Sequence, residues 1–66
     1  MNPLQFGHLT RWAFQGREWL IVDYDLSDFA VFMIPAEQYD HTETREAILA
    51  KSFRVPAELF DMLEAL

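Results

Sequence analysis

The chain has no cysteine, which excludes disulfides, thiolate chemistry and every zinc or iron–sulfur site built on sulfur ligands. It also has no long hydrophobic run. The longest, Phe29 to Ala36, is eight residues, well short of the roughly 20 that a bilayer-crossing helix needs. The opening MNPLQFGHLTR shows no basic leader ahead of an apolar segment, so a secretion signal is not expected and the cytoplasm is the expected compartment. Positive charge is scarce as well. Five Arg/Lys stand against eleven Asp/Glu, giving a formal charge of −6. Nucleic-acid affinity comes largely from basic residues that displace counterions, so this balance works against phosphate binding. It suits solubility, or docking onto a basic protein surface.

What the sequence has in quantity is apolar material: 52% of its 66 residues are hydrophobic and 15% aromatic. That load argues against disorder. A chain of this size hides only about 60% of the surface that it exposes when unfolded, so stability is marginal without a supplement. With disulfides and sulfur-ligated metals excluded, the supplement is apolar packing, within the chain or between chains.

The two halves have different patterns, with no repeat, low-complexity tract or linker between them, and one domain is expected over 1–66. Residues 4–14 alternate, with Phe6, His8, Thr10, Trp12 and Phe14 facing one way and Leu9, Arg11 and Ala13 the other. Gln15 to Glu18 is a turn signal. Gly16 and Arg17 as its central pair predict a type II′ hairpin, with Phe14 opposite Trp19 and Trp12 opposite Ile21. A second strand follows over 19–25, a turn at Leu26–Asp28, and a third strand over 29–35 ending at Pro35, which lacks an N–H. An antiparallel meander is the economical arrangement.

Asp40 with Glu43 three residues on reads as a capping box opening a helix over 41–52. Phe53-Arg54-Val55 reads as a break, and Pro56 as the start of a second helix over 56–65. Leu59, Phe60, Met62, Leu63 and Leu66 would form its apolar side, and Glu58, Asp61 and Glu64 its acidic one. The expected fold is therefore α+β: a three-stranded antiparallel β-meander followed by two C-terminal α-helices, β-β-β-α-α.

Chemistry of the chain's own is not expected. Neither serine sits in a G-x-S-x-G elbow. The histidines are only His8, expected to be packed in a strand, and His41, expected at an exposed helix start. Asp23, Asp25 and Asp28 approximate a calcium loop, but position six is Asp28 rather than glycine and position twelve is Ile34 rather than glutamate. Acidic residues closing a hairpin explain them more simply. No catalytic, cofactor-binding or metal-binding residue is assigned, and the chain is not expected to be an enzyme.

Glu46 to Ala65 resembles a helix-turn-helix segment. Leu49 and Ala50 fall where such motifs keep an apolar and a small residue, Phe53 and Val55 bracket the turn, and Phe60 and Leu63 take the inward positions of the second helix. Arg54 occupies the usual turn-glycine position. The resemblance implies a recognition helix from Pro56, yet its outward residues are Glu58, Asp61 and Glu64, which oppose phosphate.

The favoured expectation is a small acidic protein-binding factor (an inhibitor, an antitoxin-like protein or an adaptor) that meets a basic protein partner. Candidate contact residues are Glu58, Asp61 and Glu64, and Glu37, Asp40, Glu43 and Glu46. If such carboxylates formed two phosphate-like rows, they would mimic nucleic acid. The alternatives are a DNA-associated regulator using residues 46–65 and a structural subunit of a larger assembly. A homodimer is also expected. Both sheet faces look apolar, Phe6, Trp12, Phe14, Trp19, Ile21, Ala30, Phe32 and Ile34 on one and Leu9, Ala13, Leu20, Val22, Tyr24, Phe29, Val31 and Met33 on the other, and two short helices would cover only one of them. Trp19 and Phe32 are the probes for a shared face.

Overall fold

Gln15 and Gly16, not Gly16 and Arg17, form the turn of the first hairpin. In the computed structural model, which describes residues 2–66, both take positive φ, +52° and +75°. Positive φ at both central positions defines a type I′ turn, whose twist matches the flanking strands. Strand β1 (Arg11–Phe14) therefore pairs with β2 (Arg17–Asp25) so that Trp12 faces Trp19 and Phe14 faces Arg17. This register lies two residues from the expected one. A two-residue slip leaves every side chain on its face, so Trp12, Phe14, Trp19 and Ile21 still share one side.

A second difference does change faces. Strand β3 (Ala30–Pro35) pairs with β2 as Leu20–Ile34 and Ile21–Met33, then as Asp23–Phe32 and Tyr24–Val31, leaving Val22 unpaired in a bulge. The face that carries Trp19 and Ile21 consequently holds Tyr24, Val31 and Met33, whereas Ala30, Phe32 and Ile34 go with Leu20. An unpaired residue carries no sequence mark, and it inverts the alternation assumed for a regular strand.

The C-terminal half departs from the β-β-β-α-α expectation. Among the described residues only one α-helix forms, α1 (Arg45–Ala50), six residues long. Asp40 does not cap it, because its carboxylate is engaged by the Thr42 N–H and hydroxyl. Thr44 caps instead, accepting from the Ala47 N–H. The supposed break is strand β4 (Phe53–Pro56), paired antiparallel with β3. The supposed second helix is a 3-10 turn (Ala57–Met62) followed by a two-residue strand, β5 (Glu64–Ala65), on the edge of β1. The result is a five-stranded antiparallel sheet in the order β4-β3-β2-β1-β5.

The 3-10 turn wins because its threefold repeat eclipses residues i and i+3. Ala57, Phe60 and Leu63 then fall in one stripe onto the core, and the Phe60 ring meets Phe6 edge-on at 4.8 Å. The free edge of β1 captures the residues that follow. Tertiary partners of this kind override helix propensity. The same geometry abolishes the helix-turn-helix resemblance, since residues 46–65 run helix, strand, 3-10 turn, strand.

Both sheet faces are covered within the chain. Phe6, Phe60 and Leu63 close over Ile21, Val31, Met33 and Val55 on one side. On the other, α1 lies against β2 and β3, and Leu20, Ala30 and Ile34 are buried. The open apolar face on which the homodimer was expected is absent. Trp19 is core, 5% exposed, and Phe32 is half-buried on the α1 side between Asp23 and Arg54.

Candidate functional site

Two surfaces stand out, one electrostatic and one concave. Among the described residues every cation is ion-paired: Arg11 with Glu18, Arg17 with Glu37, Arg45 with Asp23, Lys51 with Glu43, and Arg54 with Asp25 and Asp28. Among the described residues the carboxylates left without a cation are Asp40, Glu46, Glu58, Asp61 and Glu64, which carry five of the six excess negative charges; the sixth lies at Arg54, shared by Asp25 and Asp28. The 3-10 repeat that sends Phe60 and Leu63 inward sets Glu58 and Asp61 outward in register, while Glu64, on β5 opposite Ala13, turns to the other face of the sheet. All three are exposed, and Met62 and Leu66 beside them are exposed apolar residues.

The expected contact residues thus divide. Glu58 and Asp61 form an acidic ridge over the core side, whereas Glu64, paired with Ala13, projects from the opposite face of the sheet. Asp40, Glu43 and Glu46 lie at α1, also on that opposite face, with Glu43 held by Lys51. Glu37 is tied to Arg17 beside the first hairpin, and Trp19 is internal. This is one pair with separate outliers and not the two rows that nucleic-acid mimicry requires.

Local hydrogen bonds favour the ionised form of three carboxylates, Asp40, Glu37 and Asp25. The Thr42 hydroxyl and N–H hold the Asp40 carboxyl below the usual carboxylate range. Glu37 is lowered by its own backbone N–H and then by Arg17. Asp25 is lowered by the Ser27 hydroxyl first, with further help from the Asp28 N–H and Arg54. These bonds account for the acidic run at 23–28: Asp25 and Asp28 close the β2–β3 loop and anchor it to β4 through Arg54, while Asp23 turns to Arg45. No three His, Asp or Glu side chains converge as metal ligands among the described residues.

The concave surface was not anticipated from the sequence. A cleft of about 370 Å³ opens between α1 and β2. Leu9, Val22, Ile48 and Leu49 give it apolar walls, and Asp23, Glu43, Arg45, Tyr39 and His8 supply polar groups. Two backbone irregularities shape it. Val22 is the bulged residue of β2. Across the sheet, Leu9 and Thr10 together oppose Ile21: the Leu9 N–H donates to the Ile21 carbonyl at 2.7 Å, and the Ile21 N–H to the Thr10 carbonyl at 3.2 Å. Leu9 heads this second bulge at φ +62°, a position that usually belongs to glycine. His8, expected in a packed strand, precedes the sheet and is exposed at the cleft. Neither bulge has a glycine or proline to mark it in the sequence, so no sequence signal could have located the cleft.

A second hollow, about 310 Å³, lies over the core side between the first hairpin and β4, with Trp19 and Met33 in its floor. The Arg17 guanidinium stands 5.4 Å from the Trp19 ring centroid, and Phe53 meets that ring edge-on at 5.4 Å while remaining 58% exposed.

No helix among the described residues is long and apolar enough to cross a membrane. No protein-family model, curated protein or solved structure matches the chain.

Proposed function

We propose that the chain is a small protein-binding factor, of the inhibitor, antitoxin or adaptor type, whose acidic C-terminal segment docks on a basic protein partner. The observation that carries this reading is that segment itself, Glu58 and Asp61 on the 3-10 turn and Glu64 on the other side of the β5 edge, without cations among the described residues and beside exposed Met62 and Leu66. Unpaired carboxylates steer a basic partner and raise its association rate. The adjacent apolar side chains supply area that loses water on contact. The helix-turn-helix route to DNA has lost its geometry, and the local charge opposes phosphate.

The test compares affinity capture from the native host by the wild-type chain and by the Glu58→Gln/Asp61→Gln/Glu64→Gln variant. Basic proteins retained by the wild type at low salt and lost by the variant are the expected result. Capture unchanged by the triple substitution overturns the reading, as does salt-sensitive binding of the isolated chain to random duplex DNA.

Self-association is a second reading, favoured now by a different feature. Strand β4 is an edge strand whose Phe53 is largely solvent-exposed. Backbone alternation directs the Arg54 N–H and carbonyl outward, while Pro56 has no N–H to offer, so the edge is partly guarded. Sedimentation equilibrium at micromolar concentration decides the matter: a species at the 7.8 kDa chain mass throughout removes the dimer.

A further inference from the structure

We propose that the cleft between α1 and the doubly bulged part of the sheet binds a small amphipathic cation, an ammonium or guanidinium group on an aliphatic stem. The site lies across the sheet from the acidic ridge and stands independently of it. Three features of the cleft converge on this chemistry.

First, the cleft is built at some cost. Leu9 is held in the left-handed region, where a branched side chain is disfavoured, and Val22 is excluded from the strand ladder. Both side chains end on the cleft wall, opposite Ile48 and Leu49 of α1. The volume, about 370 Å³, falls within the range of small-ligand sites.

Second, the carboxylates at the cleft, Asp23 and Glu43, each already accept a cation from the chain itself. Arg45 donates to Asp23, and Lys51 to Glu43. The geometry at each carboxylate therefore suits an ammonium or guanidinium.

Third, the Arg45 pair is readily exchanged. Its side chain is 73% exposed, against 21% for Asp23, so Arg45 reaches the cleft from solvent with little apolar packing of its own stem. Exposed ion pairs contribute little to stability. An incoming cation replaces one such pair with another and adds burial of its stem on Leu9, Val22, Ile48 and Leu49. An anion would have to draw Arg45 away from Asp23 and leave that half-buried carboxylate unpaired, on a chain of charge −6, and a neutral molecule gains only the apolar wall.

Amide chemical shifts of the full chain, titrated with hexylammonium, hexanol and hexanoate, test the proposal. Hexylammonium should move the resonances of Leu9, Val22, Asp23 and Ile48, hexanol should do so more weakly, and hexanoate not at all. Across propyl- to hexylammonium the affinity should rise about fourfold per methylene, the factor expected for burying one CH₂. Comparing butylammonium with Nα-acetyl-lysine amide separates a free amine from a lysine side chain: stronger binding of the free amine assigns the site to small molecules, and stronger binding of the amide assigns it to a protein partner. Asp23→Asn should weaken binding about tenfold or more, the scale of losing one charged hydrogen bond.

Deletion of Val22 is the geometric control. It joins Ile21 directly to Asp23, so that Ile21–Met33, Asp23–Phe32 and Tyr24–Val31 become one regular ladder with every partner kept. That variant should keep the fold, read by its tryptophan fluorescence, and lose the cation. Equal binding of hexanoate, absence of chain-length dependence, or shifts confined to residues 58–66 would overturn the proposal.

Discussion

The Tyr24 hydroxyl donates to the main-chain carbonyl of Phe6 at 2.6 Å, joining β2 to the segment that closes the core. Phe6 packs edge-on against both Trp12 and Phe60 at 4.8 Å, so this bond fixes the residue on which the N-terminal and C-terminal covers meet. Burial and then the neighbouring Asp23 charge push the Tyr24 phenol above its ordinary pKa.

Tyr24→Phe should therefore cost about 1 kcal/mol, the net worth of one intramolecular hydrogen bond, read as a lower urea midpoint at unchanged slope. The alkaline limb gives an independent check. A phenol whose folded pKa is raised contributes stability that is complete below its unfolded value, about 10, and is lost as pH rises through the folded value. The wild type should weaken above about pH 10 more steeply than Tyr24→Phe. Parallel alkaline limbs would refute this role for Tyr24.

Gln15 occupies the first central position of a type I′ turn at φ +52°, where asparagine or glycine is preferred. Gln15→Asn creates the Asn-Gly pair favoured there and should stabilise the chain by about 0.5–1 kcal/mol. For a domain of this size that is a rise of roughly 2–8 °C in Tm. A fall in Tm would place the turn in another conformation.

Trp19 and Phe32, expected on one face, lie on opposite faces and should respond differently to charge. Trp19→Asp puts a carboxylate into the core beside Ile21 and Met33. Removal of a large buried aromatic alone costs about 3–5 kcal/mol, comparable with the whole stability of a chain this short. The Trp19 variant should be unfolded by circular dichroism. Phe32→Asp is half-exposed and stands across from Arg54, so its chain should remain folded. Equal loss by the two variants would contradict the Val22 bulge.

The second and third strands were legible within two residues, because alternating aromatic and β-branched residues mark them. The first, expected over 4–14, begins only at Arg11, after a 3-10 turn at Pro3–Gln5 and the bulge headed by Leu9. The bulges were not legible, because leaving Val22 unpaired or turning Leu9 left-handed is decided by where Ile21 must sit and not by either residue's own preference. The C-terminal half misled for a related reason. Glu58, Leu59, Phe60, Asp61, Met62 and Leu63 fit a helical stripe at a spacing of three as well as of 3.6, and only the unpaired edge of β1 selects between them. Glu58 and Asp61 align under either period, but the start of β5 carries Glu64 to the other face of the sheet, opposite Ala13. The cleft could not be anticipated, because it needs both bulges and the α1 position together.

Asp25 supplies the acid limb of stability. Its carboxylate accepts the Ser27 hydroxyl at 2.8 Å and the Asp28 N–H at 3.2 Å, with the Arg54 Nε at 3.8 Å. Those partners favour the ionised form and lower its folded pKa, the Ser27 hydroxyl most of all. A depressed carboxyl contributes stability that is present above its unfolded pKa, about 3.9, and is lost as pH falls through the folded value. Stability should thus hold down to about pH 5 and decline below about pH 4. Ser27→Ala removes the largest of the stabilising bonds, so it should raise the Asp25 pKa measured by NMR, lower stability at neutral pH and make the acid decline shallower. Asp25→Asn should flatten that limb while leaving stability at neutral pH below wild type, because Arg54 then keeps only Asp28. An Asp25 that titrates at or above about 3.9 in the folded chain would refute the assignment and leave the β2–β3 loop held by the Arg54–Asp28 pair alone.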